Sequence, residues 1–157
     1  MSLLIRPYRT GDLPRLQQIT VEAFTGVSID QGIDRAFGPL NGHDWRWRKA
    51  RHVADDVARD PAGVFVAESD GAVVGYVSTW IDAEGDLGNI PNLAVDSSYR
   101  NHGIGRRLLE HALDHFRAHG VGHAKIETLE QNAIGQHLYP SLGFREVARQ
   151  IHYCAKL

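Results

Sequence analysis

Between Leu93 and Arg106 the chain carries residue types, at spacings, that suit the binding of a diphosphate. Leu93-Ala94-Val95 is apolar and of strand type, and Asp96-Ser97-Ser98 is a polar turn. Arg100-Asn101-His102-Gly103-Ile104-Gly105-Arg106 then runs directly into a helical pattern. Strand, loop and helix N-terminus in series turn successive backbone N–H groups toward one point, where the positive end of the helix dipole favours an anion. Gly103 and Gly105 lack a Cβ, so a phosphate oxygen can approach the main chain closely. Arg100, Arg106 and Arg107 add positive charge beside the same loop. The reading is a pyrophosphate cradle. It is not a Rossmann fingerprint, which would need glycine where Leu108 stands, nor a Walker loop, because Arg106-Arg107 follows Gly105.

A second set of polar residues lies downstream. Lys125–Leu129 reads as a strand that carries Glu127, and a helix follows through Tyr139. Asn132 and Tyr139 are separated by nearly two helical turns, which puts an amide and a phenol on one side about 10 Å apart. Such a pair can flank a single extended ligand. Taken without the upstream stretch, Asn132 reads as a helix N-cap and Tyr139 as a half-buried core aromatic.

The two stretches together carry a resemblance. Leu93-Ala94-Val95-Asp96, Arg100-x-x-Gly103-x-Gly105, then strand, Asn132, helix, Leu138-Tyr139 and Gly143-Phe144 resemble the GNAT superfamily of N-acetyltransferases, over roughly residues 87–145. The resemblance implies acetyl-CoA as co-substrate and no metal. Backbone of Leu93, Ala94 and Val95 would meet the pantetheine and acetyl group. Arg100, Asn101, His102, Gly103, Ile104, Gly105 and Arg106 would take the pyrophosphate, Asn132 the pantetheine arm. Tyr139 would be the general acid, since a phenol near pKa 10 stays protonated at neutral pH and can hydrogen-bond a thiolate near 8.5. The order Glu127…Asn132…Tyr139 is similar to the ribosomal-protein alanine acetyltransferase branch, which implies Glu127 as general base and an N-terminal α-amine as acceptor. Glu84, Asp86 and Glu130 are the other candidates for the base. The acceptor is left between a small-molecule amine and a peptide N-terminus. A non-catalytic acyl-CoA-binding or sensing domain is the competing function, and retention of Tyr139 favours the enzyme.

These residues need elements to hold them. The order of elements gives a mixed α/β fold with helices on both faces of a sheet, in one domain over 1–157, and the resemblance implies that the sheet is mostly antiparallel with six to seven strands. Leu3–Tyr8 reads as a first strand, and Thr10-Gly11-Asp12 as a helix start with Pro14 in the first turn. Residues 25–45 read as a long loop with a turn of helix near Ile33–Phe37, and Trp45–Arg59 as a helix. Its Arg46, Arg48, Lys49 and Arg51 read as a solvated face balanced by Asp55 and Asp56, with Trp45 and Trp47 as packing residues. Val64–Glu68 and Ala72–Ile81 form a hairpin about Ser69-Asp70-Gly71. Pro91 should disturb pairing just before Leu93. Ile104, Leu108, Leu109, Ala112, Leu113 and Phe116 make one helix face that Gly120 ends. His111, His115 and His119 recur every four residues, as a metal site would need, but no acidic ligand stands beside them. Pro140 is expected to shorten the helix of Tyr139. His152 and Tyr153 are expected on a final strand, which would shape an acceptor pocket with residues 25–60.

Composition sets the outer bounds. The chain has 157 residues, of which 43% are hydrophobic, enough for a sizeable core. A net charge of −2 gives no general polyanion-binding surface, so no nucleic-acid partner is expected. No run reaches the length of a membrane span, so no membrane partner is expected either. The single cysteine, Cys154, excludes an internal disulfide and fits the cytoplasm. A homodimer is compatible with everything in the sequence.

Overall fold

The computed structural model describes residues 2–157. Among them run β1 (Leu3–Pro7), α1 (Leu13–Ala23), α2 (Ile29–Phe37), α3 (Trp45–Arg59), β2 (Phe65–Ser69), β3 (Ala72–Val77), β4 (Trp80–Asp82), β5 (Leu87–Ile90), β6 (Leu93–Val95), α4 (Ile104–Ala118), β7 (His123–Ile126) and α5 (Ala133–Ser141). The β2–β3 hairpin turns at Asp70 and Gly71, with φ of 50° and 84°. An Asp-Gly pair is the sequence that tolerates two left-handed residues in a tight turn.

The seven strands form two sheets rather than the one that the sequence predicts. One has the order β1-β2-β3-β6, all antiparallel, and the other β4-β5-β7, in which β5 and β7 run parallel. The expected strand Ala72–Ile81 breaks between β3 and β4, and its partner breaks opposite, between β5 and β6. The second break falls at Pro91-Asn92, as the missing proline N–H requires. Ser78 stitches the two breaks together: its N–H donates to the Asn92 carbonyl (2.9 Å), and its Oγ accepts from the Asn92 N–H (3.0 Å).

Period-two alternation sends side chains to two cores. Phe65 and Ala67 of β2 meet Leu108, Leu109, Ala112 and Phe116 of α4 on one side. Val64, Val66, Tyr76 and Ala94 meet Leu16, Ile19 and Val53 of α1 and α3 on the other. Helices therefore cover both faces. At about 25 cal/mol per Å2 of apolar surface, the buried Val, Leu, Ile and Phe side chains contribute roughly 1.5–3 kcal/mol each.

Several sequence expectations change. The 25–45 loop contains a full helix, α2, which Arg48 of α3 holds through Asp30 and Asp34. Arg48 is therefore no part of a solvated face, and neither is Lys49, which turns inward. Trp45 is buried, whereas Trp47 is exposed and stacks on His43 at 3.6 Å. β7 ends at Ile126, so Glu127 lies beyond the strand. Pro140 sits in the last turn of α5, which ends one residue later at Ser141. Residues 145–157 form no strand, so His152 and Tyr153 stand on an exposed tail. His111 and His115 pack edge-on against Phe65. No group of His, Cys, Asp or Glu among the described residues is arranged to hold a metal ion, and no helix among them is long and apolar enough to cross a membrane.

Candidate active site

β6 is an edge strand. It pairs with β3 through Gly75–Val95, Tyr76–Ala94 and Val77–Leu93, and no strand among the described residues lies on its other side. Every second N–H and C=O of Leu93–Val95 is thus free for an extended ligand. The chain next turns at Asp96, whose carboxylate accepts from the Ser98 N–H (2.8 Å) and from the Arg15 guanidinium. Burial works against that charge, yet the Ser98 amide and Arg15 hold the Asp96 carboxyl below the usual carboxylate range. Arg15, from α1, thereby fixes the start of the loop. Sequence reasoning did not find it, because it lies 81 residues away.

The loop itself is bent by two left-handed residues, Asn101 (φ 64°) and Gly103 (φ 74°). His102 closes over it, with Nδ1 2.8 Å from the Arg100 carbonyl oxygen. Gly103 is the N-cap of α4, and no side chain caps this end. The first intrahelical bond is Arg107 N–H to Gly103 carbonyl (3.1 Å). The N–H groups of Ile104, Gly105 and Arg106 consequently have no acceptor among the described residues. A Cβ on Gly105 would meet only Leu138 (3.7 Å) and Val95 (3.8 Å), so its absence leaves room above the helix end. These features meet the expected requirements of an anion cradle. The arginines divide differently from the expectation. Arg106 donates to Ser141 Oγ (2.7 Å) and so couples α4 to α5, while Arg107 points away toward the Leu3 carbonyl of β1 (3.5 Å). Arg100 stays exposed at the loop.

Asn132 and Tyr139 converge on one small residue. Asn132 is the N-cap of α5: its Oδ1 accepts from the Gly135 N–H (3.2 Å), and its Nδ2 donates to Thr128 Oγ1 (2.8 Å). One of its two amide hydrogens remains for another partner. A Cβ on Gly135 would lie 3.0 Å from Asn132 Nδ2, 3.0 Å from Tyr139 Cε2 and 3.2 Å from Thr128 Oγ1. Gly135 and Thr128 therefore set the positions of both side chains, and nothing in residue spacing marks them. The Tyr139 ring is half-buried near Phe144 (6.1 Å between centroids), and burial pushes its hydroxyl up to about 12.

The candidate bases are less well placed. Glu127 is exposed, and its carboxylate pairs with Lys125 (2.8 Å). Asp86 is committed to the Gly122 N–H and to His123, both at 2.8 Å, and Glu130 to Arg149 at 3.0 Å. A further buried polar network adjoins β6. Lys49 donates to Asn92 Oδ1 (3.0 Å), while Asn92 Nδ2 (2.6 Å) and Ser78 Oγ (2.9 Å) donate to Asp56. It ties α3 to the break before Leu93, and burial lowers the Lys49 pKa despite Asp30 and Asp56.

Comparison with known proteins agrees with this geometry. The sequence pattern described as "Acetyltransferase (GNAT) family" matches residues 17–144, and the chain belongs to that family. Among characterised relatives, mycothiol acetyltransferase of Thermobispora bispora is 34% identical over 99 residues, which is 60% of this chain and 34% of that one. The [ribosomal protein bS18]-alanine N-acetyltransferase of Escherichia coli strain K12 is 40% identical over 68 residues, 43% of this chain and 46% of that one. The matched stretch thus spans less than half the length of either relative. In three dimensions the chain is similar to the PaiA N-acetyltransferase of Thermoplasma acidophilum in complex with coenzyme A, at TM-score 0.71 and 20% identity over 92% of this chain and 91% of that one. It is also similar to the E. coli ribosomal-protein-S18-alanine N-acetyltransferase, at TM-score 0.67 and 24% identity over 94% and 80%. At such identities the likeness establishes the shared fold.

Proposed function

We propose that this chain is an acetyl-CoA-dependent N-acetyltransferase that moves an acetyl group to a primary amine by direct attack. The observation that carries the proposal is the continuity of an open strand edge at Leu93–Val95 with the uncapped start of α4, across a loop bent at Asn101 and Gly103. That surface matches an extended acyl-pantetheine arm ending in a diphosphate. Family membership and the names of the relatives support the same reading.

In the reaction the amine lone pair forms a bond to the thioester carbonyl carbon. The C–S bond then breaks, and the amine loses a proton. Tyr139 stays protonated at any physiological pH, because its hydroxyl is pushed up to about 12. That is roughly three units above a free thiol, so the phenol stabilises the departing thiolate chiefly as a hydrogen-bond donor. An α-amine with pKa near 8 is partly neutral at pH 7.5, whereas a lysine near 10.4 is about one part in a thousand neutral. Glu127, Glu84, Asp86 and Glu130 are all exposed, and the lack of a buried carboxylate among them suits an acceptor that needs little help, so the α-amine is the preferred class. Glu127 is assigned the remaining task of receiving the proton through water. The test is acetyl-CoA consumption against a panel of peptides, polyamines and aminoglycosides. Turnover with α-amines and none with lysine side chains is the expected result. Coenzyme binding without turnover on any amine would leave only the sensing reading.

A further inference from the structure

The tail after α5 has the pattern of a half-buried strand but not the surroundings of one. Val147, Arg149, Ile151, Tyr153, Ala155 and Leu157 alternate with Glu146, Ala148, Gln150, His152, Cys154 and Lys156. One set is largely apolar and the other largely polar, a period of two sustained over twelve residues. Yet every residue from Arg145 to Leu157 is exposed, with Ile151 at 78% and Tyr153 at 90%. A sequence written to bury one face is burying none.

A site with matching chemistry exists on the same molecule. Among the described residues β7 pairs with β5 on one side only, and its other edge carries no strand. Beside β7 lies a groove of about 390 Å3, lined by Ala124 and Ile126 of β7, Phe116 of α4, and Phe144 and Val147 beyond α5. Free strand edges next to apolar surface attract a further strand. The tail cannot supply that strand to its own groove. Its first residues, Arg145 and Val147, already line the groove, and Arg149 beyond them pairs with Glu130 on the body. Re-entry would need a reversal within 145–157, where no Gly, Pro, Asn, Asp or Ser exists to make a tight turn. The eight residues from Gln150 to Leu157 reach roughly 26 Å when extended, far enough to meet a neighbour.

We propose that Gln150–Leu157 of one copy adds as a strand to the free edge of β7 in a second copy, inside the groove between β7 and Phe144–Val147, and that the exchange is reciprocal. The product is a twofold dimer in which Ile151 and Tyr153 cover the apolar wall of the partner.

Sedimentation velocity of the whole chain should give a dimer. Removal of residues 150–157, or the double substitution Ile151→Asp with Tyr153→Asp, should halve the sedimenting mass while leaving a cooperative thermal transition. A mixture of isotopically light and heavy chains, treated with a lysine cross-linker, should yield light–heavy pairs joined between Lys125 and Lys156. That measurement stands even if a variant fails to fold. A monomeric whole chain, a dimer that survives both tail variants, or Lys125–Lys156 cross-links confined to single chains would each overturn the exchange. A strand from another protein would also show up as a monomer here, and would count against it.

Discussion

Tyr139 illustrates what one residue contributes and what its neighbours must do for it. Burial raises its hydroxyl to about 12, so it keeps its proton at neutral pH. Tyr139→Phe keeps the ring packing near Phe144 and removes only the donor. We expect kcat to fall about 100-fold, the lower end for a general acid, with little change in KM for acetyl-CoA. Release of free thiol under saturating coenzyme measures it, and unchanged kcat would remove the role. Glu127→Gln should lower the rate most below the acceptor's own pKa, where neutral amine is scarce. A pH–rate profile that superimposes on the parent's would dismiss Glu127. That Tyr139 and Asn132 share one side was legible in their helical spacing, whereas the roles proposed for them came only from the resemblance to the family. Gly135 and Thr128 were not legible, because the 3.0 Å and 3.2 Å contacts that fix those side chains are tertiary.

Elements carry the next layer of the site. The break between β5 and β6 was legible in Pro91, a residue that cannot donate, but the matching break between β3 and β4 was not, since Ser78 acquires its role only by bonding Asn92. The start of α4 was legible in its two glycines. Gly103→Ala forces a Cβ into a φ of 74°, with no neighbour within 4 Å to clash, so the cost is backbone strain alone. We expect a loss of about 1–2 kcal/mol and a fall in Tm of about 2–8 °C, together with a raised KM for acetyl-CoA as the loop relaxes. Calorimetric melting and initial rates separate the two effects. The first strand is tied to α1 by a buried ion pair, where Arg6 donates to both oxygens of Asp12 at 2.8 and 2.9 Å. Arg6 holds the Asp12 carboxyl below the usual range against the pull of burial. A carboxylate depressed on folding stabilises above its unfolded pKa, near 3.9, and loses that contribution as pH falls through the folded value. The window therefore lies below about pH 4. Asp12→Asn should remove this part of the acid sensitivity and cost about 3 kcal/mol at pH 7, the low end for a broken buried pair, because Arg6 keeps Glu68 at 2.7 Å. Melting temperatures across pH 2.5–7 (roughly the span of carboxylate titration) check both statements.

At the scale of the molecule, two open sheets have edge strands at β1, β4, β6 and β7, of which β6 leads into the loop before α4 and β7 borders the groove. The layered α/β order was legible, because hydrophobic periodicity switches visibly between two and 3.6 along the chain. The split into two sheets was not, and neither was the tail without a partner, since pairing belongs to what surrounds a strand rather than to its pattern. The β6 edge makes a demand that the whole fold answers: β3 pairs with one side of it, α1 anchors its turn through Arg15, and α3 anchors its start through Lys49 and Asn92. A ligand that binds there ties α4 and the first sheet together, and it does so only in the folded state. Coenzyme A at a hundredfold excess over its dissociation constant should then stabilise the chain by about 2.7 kcal/mol, raising Tm by roughly 5–11 °C. Adenosine, which carries no phosphate, should give no comparable rise, because the free amides of Ile104, Gly105 and Arg106 would have nothing to hold. Equal shifts with both would mean that the base rather than the diphosphate is recognised, and no shift with coenzyme A would remove the cradle from the start of α4.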